Sequence, residues 1–99
     1  MIEAPEEFRR ACRNLEDSAE EMAESLDGLA QVALIGIDRN DAAVIRDFIT
    51  KILATIKADG DLKEFWWTMP ATLVFHDGRD VRLFLNAVQL ALSRAPYNF

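Results

Sequence analysis

Residues 73–95, LVFHDGRDVRLFLNAVQLALSRA, decide between two folds for this chain. Asp77-Gly78 in their first half is the kind of dipeptide that most strongly favours a two-residue β-hairpin turn. A hairpin of two strands is, however, only marginally stable in water. Apolar residues also recur at helical spacing from within the supposed second strand onward, at Val81, Phe84, Leu85, Val88, Ala91, Leu92 and Ala95. The pattern therefore favours helix over strand.

The helical interpretation places two helices in the last third of the chain. Thr68 is expected to cap a short helix that ends at Gly78, and Asp80 to cap a final helix. The alternative is an α+β fold with a C-terminal hairpin around Asp77-Gly78. This alternative leaves residues 72–85 open between helix and strand.

The middle of the chain carries a second helical pattern. Its apolar residues lie three or four positions apart, at Ile45, Phe48, Ile49, Ile52, Leu53 and Ile56. They predict a helix over about residues 41–58, with Asn40 or Asp41 as its N-cap. Gly60 is available for a left-handed residue after this helix. A short helical turn is expected to follow over Leu62–Trp67.

A third stripe has heptad spacing, at Phe8, Cys12, Leu15, Ala19, Met22, Leu26 and Leu29. It predicts a helix from about Pro5 to at least Leu26, which also has the spacing of a coiled-coil seam. Gly28 either ends this helix or lies inside a longer one. Residues 29–37, LAQVALIGI, are apolar nearly all round, so periodicity leaves them open between buried helix and buried strand. The lack of an obvious partner strand favours helix.

Length and composition complete the fold prediction. The 99 residues suit a single domain, 1–99, with one modest core. Hydrophobic residues make up 51% of the chain and charged residues 28%, which is typical of a folded chain. Four glycines and three prolines are too few for an all-β fold, which needs a turn roughly every 8–12 residues. We predict an all-α compact bundle of four to five helices.

Several features favour a cytoplasmic protein without a membrane span. The start, MIEAPEEF, has acids where a signal peptide needs basic residues. The most apolar segment has nine residues, whereas about twenty are needed to cross a bilayer. The single cysteine, Cys12, excludes an internal disulfide and fits a reducing compartment.

The net charge of −6 is concentrated near the N terminus. Residues 1–27 hold nine acids and three arginines, whereas residues 28–99 hold eight acids and eight bases. The lack of a basic stripe argues against nucleic acid as a partner. Within residues 16–27, EDSAEEMAESLD, six acids and no base form either a solubilising face or a docking face for a basic protein.

The sequence offers no pattern typical of catalysis, metal binding or cofactor binding. His76 and Asp77 are candidates for acid–base chemistry, but a helix end or turn explains them better. Cys12 lies in an apolar stripe and is expected to be a small core residue. One histidine and one cysteine cannot complete a zinc site, and the four glycines form no phosphate-binding loop. We therefore expect a protein that is not an enzyme and has no cofactor.

Residues 61–70, DLKEFWWTMP, form the densest aromatic patch. If Leu62, Phe65 and Trp66 face inward on a helix, Trp67 points at least partly outward. An exposed Trp beside carboxylates has the composition of an interaction hot spot. The two aromatic residues of the C-terminal APYNF, Tyr97 and Phe99, are expected to fold back or to contact a partner.

Together these features predict a small acidic cytosolic protein-binding module. It has the profile of an immunity protein or antitoxin that neutralises a basic partner enzyme. The alternative is a homodimeric structural or regulatory protein whose aromatic patch is the dimer interface. The residues predicted to contact a partner are Glu16, Glu20, Glu21, Glu24, Asp27, Asp61, Glu64, Trp66, Trp67, Tyr97 and Phe99.

Overall fold

The computed structural model describes residues 3–15, 25–70, 75 and 77–94. Over these ranges the backbone is all-α, as predicted, and contains no strand. The helices are α1 (Glu6–Arg13), α2 (Leu26–Ala33), α3 (Arg39–Thr55), α4 (Asp59–Trp67) and α5 (Gly78–Leu92).

The Asp77-Gly78 dipeptide begins a helix, so the hairpin alternative is wrong. Asp77 is the N-cap of α5, and its side chain accepts a hydrogen bond from the backbone N–H of Arg79 at 2.9 Å. This bond satisfies a donor that the first helical turn would otherwise leave unpaired. The predicted cap, Asp80, instead lies in the first turn of α5, where its negative charge interacts favourably with the positive end of the helix dipole. Thr68 follows the last residue of α4, and most of the short helix predicted after it lies outside the described residues.

The long helix predicted from Pro5 to Leu26 is wrong, because α1 ends at Arg13. Asn14 leaves the helix and its side-chain amide donates to the carbonyl oxygens of Ala33, at 2.8 Å, and Ile35, at 2.9 Å. These two bonds join the C-terminal end of α1 to that of α2 and satisfy carbonyls that helix ends leave open.

The helical interpretation of residues 29–37 is confirmed only as far as Ala33, where α2 ends. Ser25 caps it and accepts a hydrogen bond from the N–H of Gly28. Gly28 therefore lies in the first turn of a new helix and does not end the preceding one. Gly36 has a φ of 78°, and this left-handed residue lets the chain turn towards α3.

Helix α3 lies where its periodicity predicts a helix, but both of its ends are displaced. Helix α4 ends at Trp67, as predicted, and begins at Asp59 instead of Leu62. Asp38, not Asn40 or Asp41, caps α3 by accepting a hydrogen bond from the N–H of Asp41 at 2.8 Å. Helix α3 ends at Thr55, three residues before the predicted end, and Gly60 lies inside α4.

The helices share one apolar core in which α5 is central. It packs against α2, α3 and α4, while α1 packs against α2 and α3. No polar or charged side chain of the described residues is buried, so apolar burial holds the helices together. The predicted stripe of α5 lies in this core at Val81, Phe84, Leu85, Val88 and Leu92.

Candidate functional site

Helix α4 directs its consecutive aromatic residues in different directions. Successive residues of a helix are about 100° apart around its axis, so three in a row cannot share one face. Phe65 packs against Phe8 of α1 and Phe48 of α3, with ring centroids 6.3 and 6.0 Å away. Phe8 and Phe48 themselves are 4.9 Å apart. This cluster joins α4 to the two helices on one side of it.

Trp66 belongs to a second aromatic cluster. Its ring centroid lies 5.2 Å from that of Phe75 and 5.5 Å from that of Phe84 on α5, in the edge-to-face geometry that aromatic pairs prefer. Trp66 is only 2% exposed. Trp66 is therefore a core residue, and the prediction that it contacts a partner is corrected.

Trp67 lies outside both clusters and is 60% exposed, as the helical geometry predicted. Lys63, one turn earlier, places its Nζ 5.2 Å from the centroid of the Trp67 ring. Asp61 and Glu64 are exposed and form no ion pair among the described residues. We call Asp61, Lys63, Glu64 and Trp67 the Trp67 surface.

A third carboxylate of α4 is already engaged. Asp59 accepts a hydrogen bond from Nε of Arg82 at 3.0 Å, and the same guanidinium donates to the carbonyl oxygens of Ile56 and Lys57. These bonds fix the start of α4 against α5. Asp59 is therefore a structural residue, and Asp61 and Glu64 are the carboxylates of this helix that have no ion pair among the described residues.

Of the other predicted contact residues, only Asp27 lies within the described ranges, and it lies on α2 instead of α4. Asp27 is exposed in the first turn of α2. The remaining residues of the prediction lie outside the described ranges: Glu16, Glu20, Glu21, Glu24, Tyr97 and Phe99.

Two exposed leucines on α5 are not among the predicted contact residues. Leu83 is 42% exposed and Leu90 is 48% exposed. They are seven residues apart, so they lie on the same face of the helix. This spacing was visible in the sequence, but the stronger stripe of buried residues on α5 obscured it.

The described residues show little that is suited to catalysis. Burial raises the pKa of the Cys12 thiol to about 12, against the opposing effect of Arg9 and Arg13, so the thiol is protonated at neutral pH. Asp77 is used as a helix cap, and His76 lies outside the described ranges. Where the structure describes the chain, no group of three or more His, Cys, Asp or Glu residues could hold a metal ion. No described helix is both long enough and apolar enough to cross a membrane.

Neither a protein-family model, nor a curated protein, nor a solved structure matches this chain.

Proposed function

We propose that the chain is a protein-binding module that contacts its partner through the Trp67 surface. The exposure of Trp67 carries this proposal. Tryptophan is enriched among the residues that dominate binding energy, because a large amphipathic ring loses much water-accessible area when a partner covers it. A solvent-exposed Trp beside two carboxylates without ion pairs among the described residues has the chemistry of such an anchor.

We propose further that the partner is a basic protein. The chain has a net charge of −6, all of it from residues 1–27, and on the Trp67 surface the two carboxylates of Asp61 and Glu64 outnumber the one cation, Lys63. Opposite charges accelerate association and select partners, mostly through the rate of encounter. An immunity protein or antitoxin that covers a basic enzyme would bind in this way, and we propose this functional class for the chain.

Capture of the partner tests the proposal. Tagged wild type, Trp67→Ala and Val44→Ala are used to recover partners from the native cells, and the neighbouring reading frames supply candidates for direct binding. Val44 is a matched control, because it is also an exposed apolar residue, 40% accessible, on a different helix. We expect Trp67→Ala to lose a basic partner that Val44→Ala retains. Equal recovery by both variants would contradict the Trp67 surface as the contact.

The acidic segment is tested separately by reversing Glu20, Glu21 and Glu24 to lysine. If the segment attracts a basic partner, the reversal removes recovery at low salt. Unchanged recovery would mean that these acids serve only solubility. For the immunity or antitoxin class, the recovered enzyme must lose its activity when one equivalent of this protein is added.

A second candidate function is a homodimeric structural or regulatory protein. The observation that favours it is the apolar face formed by Leu83 and Leu90 on α5. Light scattering after size-exclusion chromatography distinguishes the two functions. If wild type is a dimer and the double variant Leu83→Gln/Leu90→Gln is a monomer, self-association through this face is supported. A monomer across a wide concentration range would exclude it.

A further inference from the structure

The indole of Trp67 already attracts a cation from its own helix. Lys63 precedes it by four residues, and the lysine Nζ lies 5.2 Å from the ring centroid. The face of an indole ring is electrostatically negative, so a cation is favoured at this position. Because the ring is 60% exposed, water screens the contact and the ammonium can be displaced.

The surroundings of the ring favour a further positive charge. Around the helix axis, Lys63 lies about 40° from Trp67 on one side and Glu64 about 60° on the other. Asp61 lies beyond Glu64, one turn nearer the start of α4. Trp67 is the last residue of α4, where the helix dipole is negative, and the last turn contains no basic residue. A cation that reaches the ring from outside therefore meets a carboxylate and a helix end of complementary charge.

Arginine fits these groups better than lysine does. Its guanidinium is planar and weakly hydrated, so it stacks on an aromatic ring and can donate two parallel hydrogen bonds to a carboxylate. The ammonium of Lys63 is compact and strongly hydrated, and it forms the weaker ring contact. We propose that the Trp67 surface recognises an arginine of the partner, which stacks on Trp67 in place of Lys63 and pairs with Glu64. This inference rests on the proposed function and specifies the chemistry of the partner.

Peptide binding tests the inference without the natural partner. The probe is a short peptide of alternating arginine and glycine, and the control peptide contains citrulline, the neutral analogue of arginine, at the same positions. Binding is followed through the indole N–H resonance of Trp67, which is assigned by its loss in Trp67→Phe, and through the backbone amides of α4. We expect saturable shifts with the arginine peptide and none with the citrulline peptide.

Two pairs of variants separate stacking from general attraction. Lys63→Met is expected to tighten binding about two- to five-fold, because it removes the cation that competes for the ring. Lys57→Met removes the same charge from an exposed lysine just before α4 and should have a smaller effect. Trp67→Phe should retain part of the binding and Trp67→Leu should lose it, because leucine offers apolar area without an aromatic face. Glu64→Gln should weaken binding.

Three results would overturn the inference: equal shifts with arginine and citrulline peptides, equal effects of Lys63→Met and Lys57→Met, or equal binding by Trp67→Leu and Trp67→Phe. None of these results changes the outcome of the capture experiment, which compares how much partner protein wild type and Trp67→Ala recover. Failure of arginine recognition and failure of the proposed function are therefore told apart.

Discussion

Replacing Gly78 by alanine places a methyl group inside the backbone of the neighbouring helix. A Cβ built on Gly78 lies 1.7 Å from the carbonyl oxygen of Asp59 and 2.4 Å from its carbonyl carbon. Since real Cβ contacts are almost never below 3.0 Å, the starts of α4 and α5 must separate by about 1.3 Å. The obstacle is backbone, so no side-chain rotation can relieve it.

This separation also disturbs the bonds that fix the two helices together. Arg82 of α5 donates to Asp59 at 3.0 Å and to the carbonyl oxygen of Lys57 at 2.9 Å. Overpacking costs about 1–3 kcal/mol, and weakening these charge-assisted bonds adds to it. We expect the free energy of unfolding of Gly78→Ala to fall by about 3 kcal/mol. For a domain of this size the Tm should fall by about 12–24 °C.

Gly60→Ala is the matched control. Gly60 also lies in the first turn of a helix, but nothing comes within 4 Å of a Cβ built on it and its φ is not positive. Alanine there should stabilise the protein by about 0.5–1 kcal/mol, because alanine loses less backbone entropy than glycine. Urea denaturation followed by circular dichroism and tryptophan fluorescence measures both variants. The explanation is refuted if Gly78→Ala is as stable as wild type or more stable.

Three further predictions concern Cys12, Asn14 and Gly36. Because the pKa of Cys12 is raised from 9.0 to about 12, the folded protein should resist a thiol reagent at pH 8 until it is unfolded. Its stability should also fall by about 1.4 kcal/mol per pH unit between pH 9 and 12, relative to Cys12→Ala, because only the unfolded thiol ionises there. Asn14→Ala should lower the free energy of unfolding by about 1–3 kcal/mol through the loss of its bonds to the carbonyl oxygens of Ala33 and Ile35, and an unchanged urea midpoint would contradict that role. Gly36→Ala should cost about 1–2 kcal/mol from its positive φ alone, which thermal unfolding measures.

The core-facing stripes of α3 and α5 could be predicted because local periodicity and burial agree there. The stripe residues Val81, Phe84 and Leu85 of α5 are buried, and so are Ile45 and Ile49 of α3. Helix starts were harder to predict. Asp38 and Asp77 cap their helices, although acids close by, such as Asp41 and Asp80, have the same capping ability. Tertiary packing decides which of these acids becomes the cap, because it sets the residue at which each helix begins.

The end of α1 could not be predicted from its own sequence. The heptad stripe continues past Arg13 through Leu15, so periodicity alone extends the helix. The residue that ends it, Asn14, hydrogen-bonds carbonyl oxygens of Ala33 and Ile35, 19 and 21 positions away. Such a contact is tertiary, and a local pattern contains no signal for it.

The exposure of Trp67 follows from how firmly the fold fixes the rotation of α4. Phe65 is held by aromatic rings of α1 and α3, and Trp66 by rings before and within α5, about 100° further around the helix. Any rotation that buried Trp67 would pull Phe65 out of its cluster. Single exposed leucines are common on protein surfaces, but a ring as large as that of Trp67 is costly to leave in water. The two clusters that fix the core thus also hold Trp67 outward, which leaves 60% of its surface exposed to solvent.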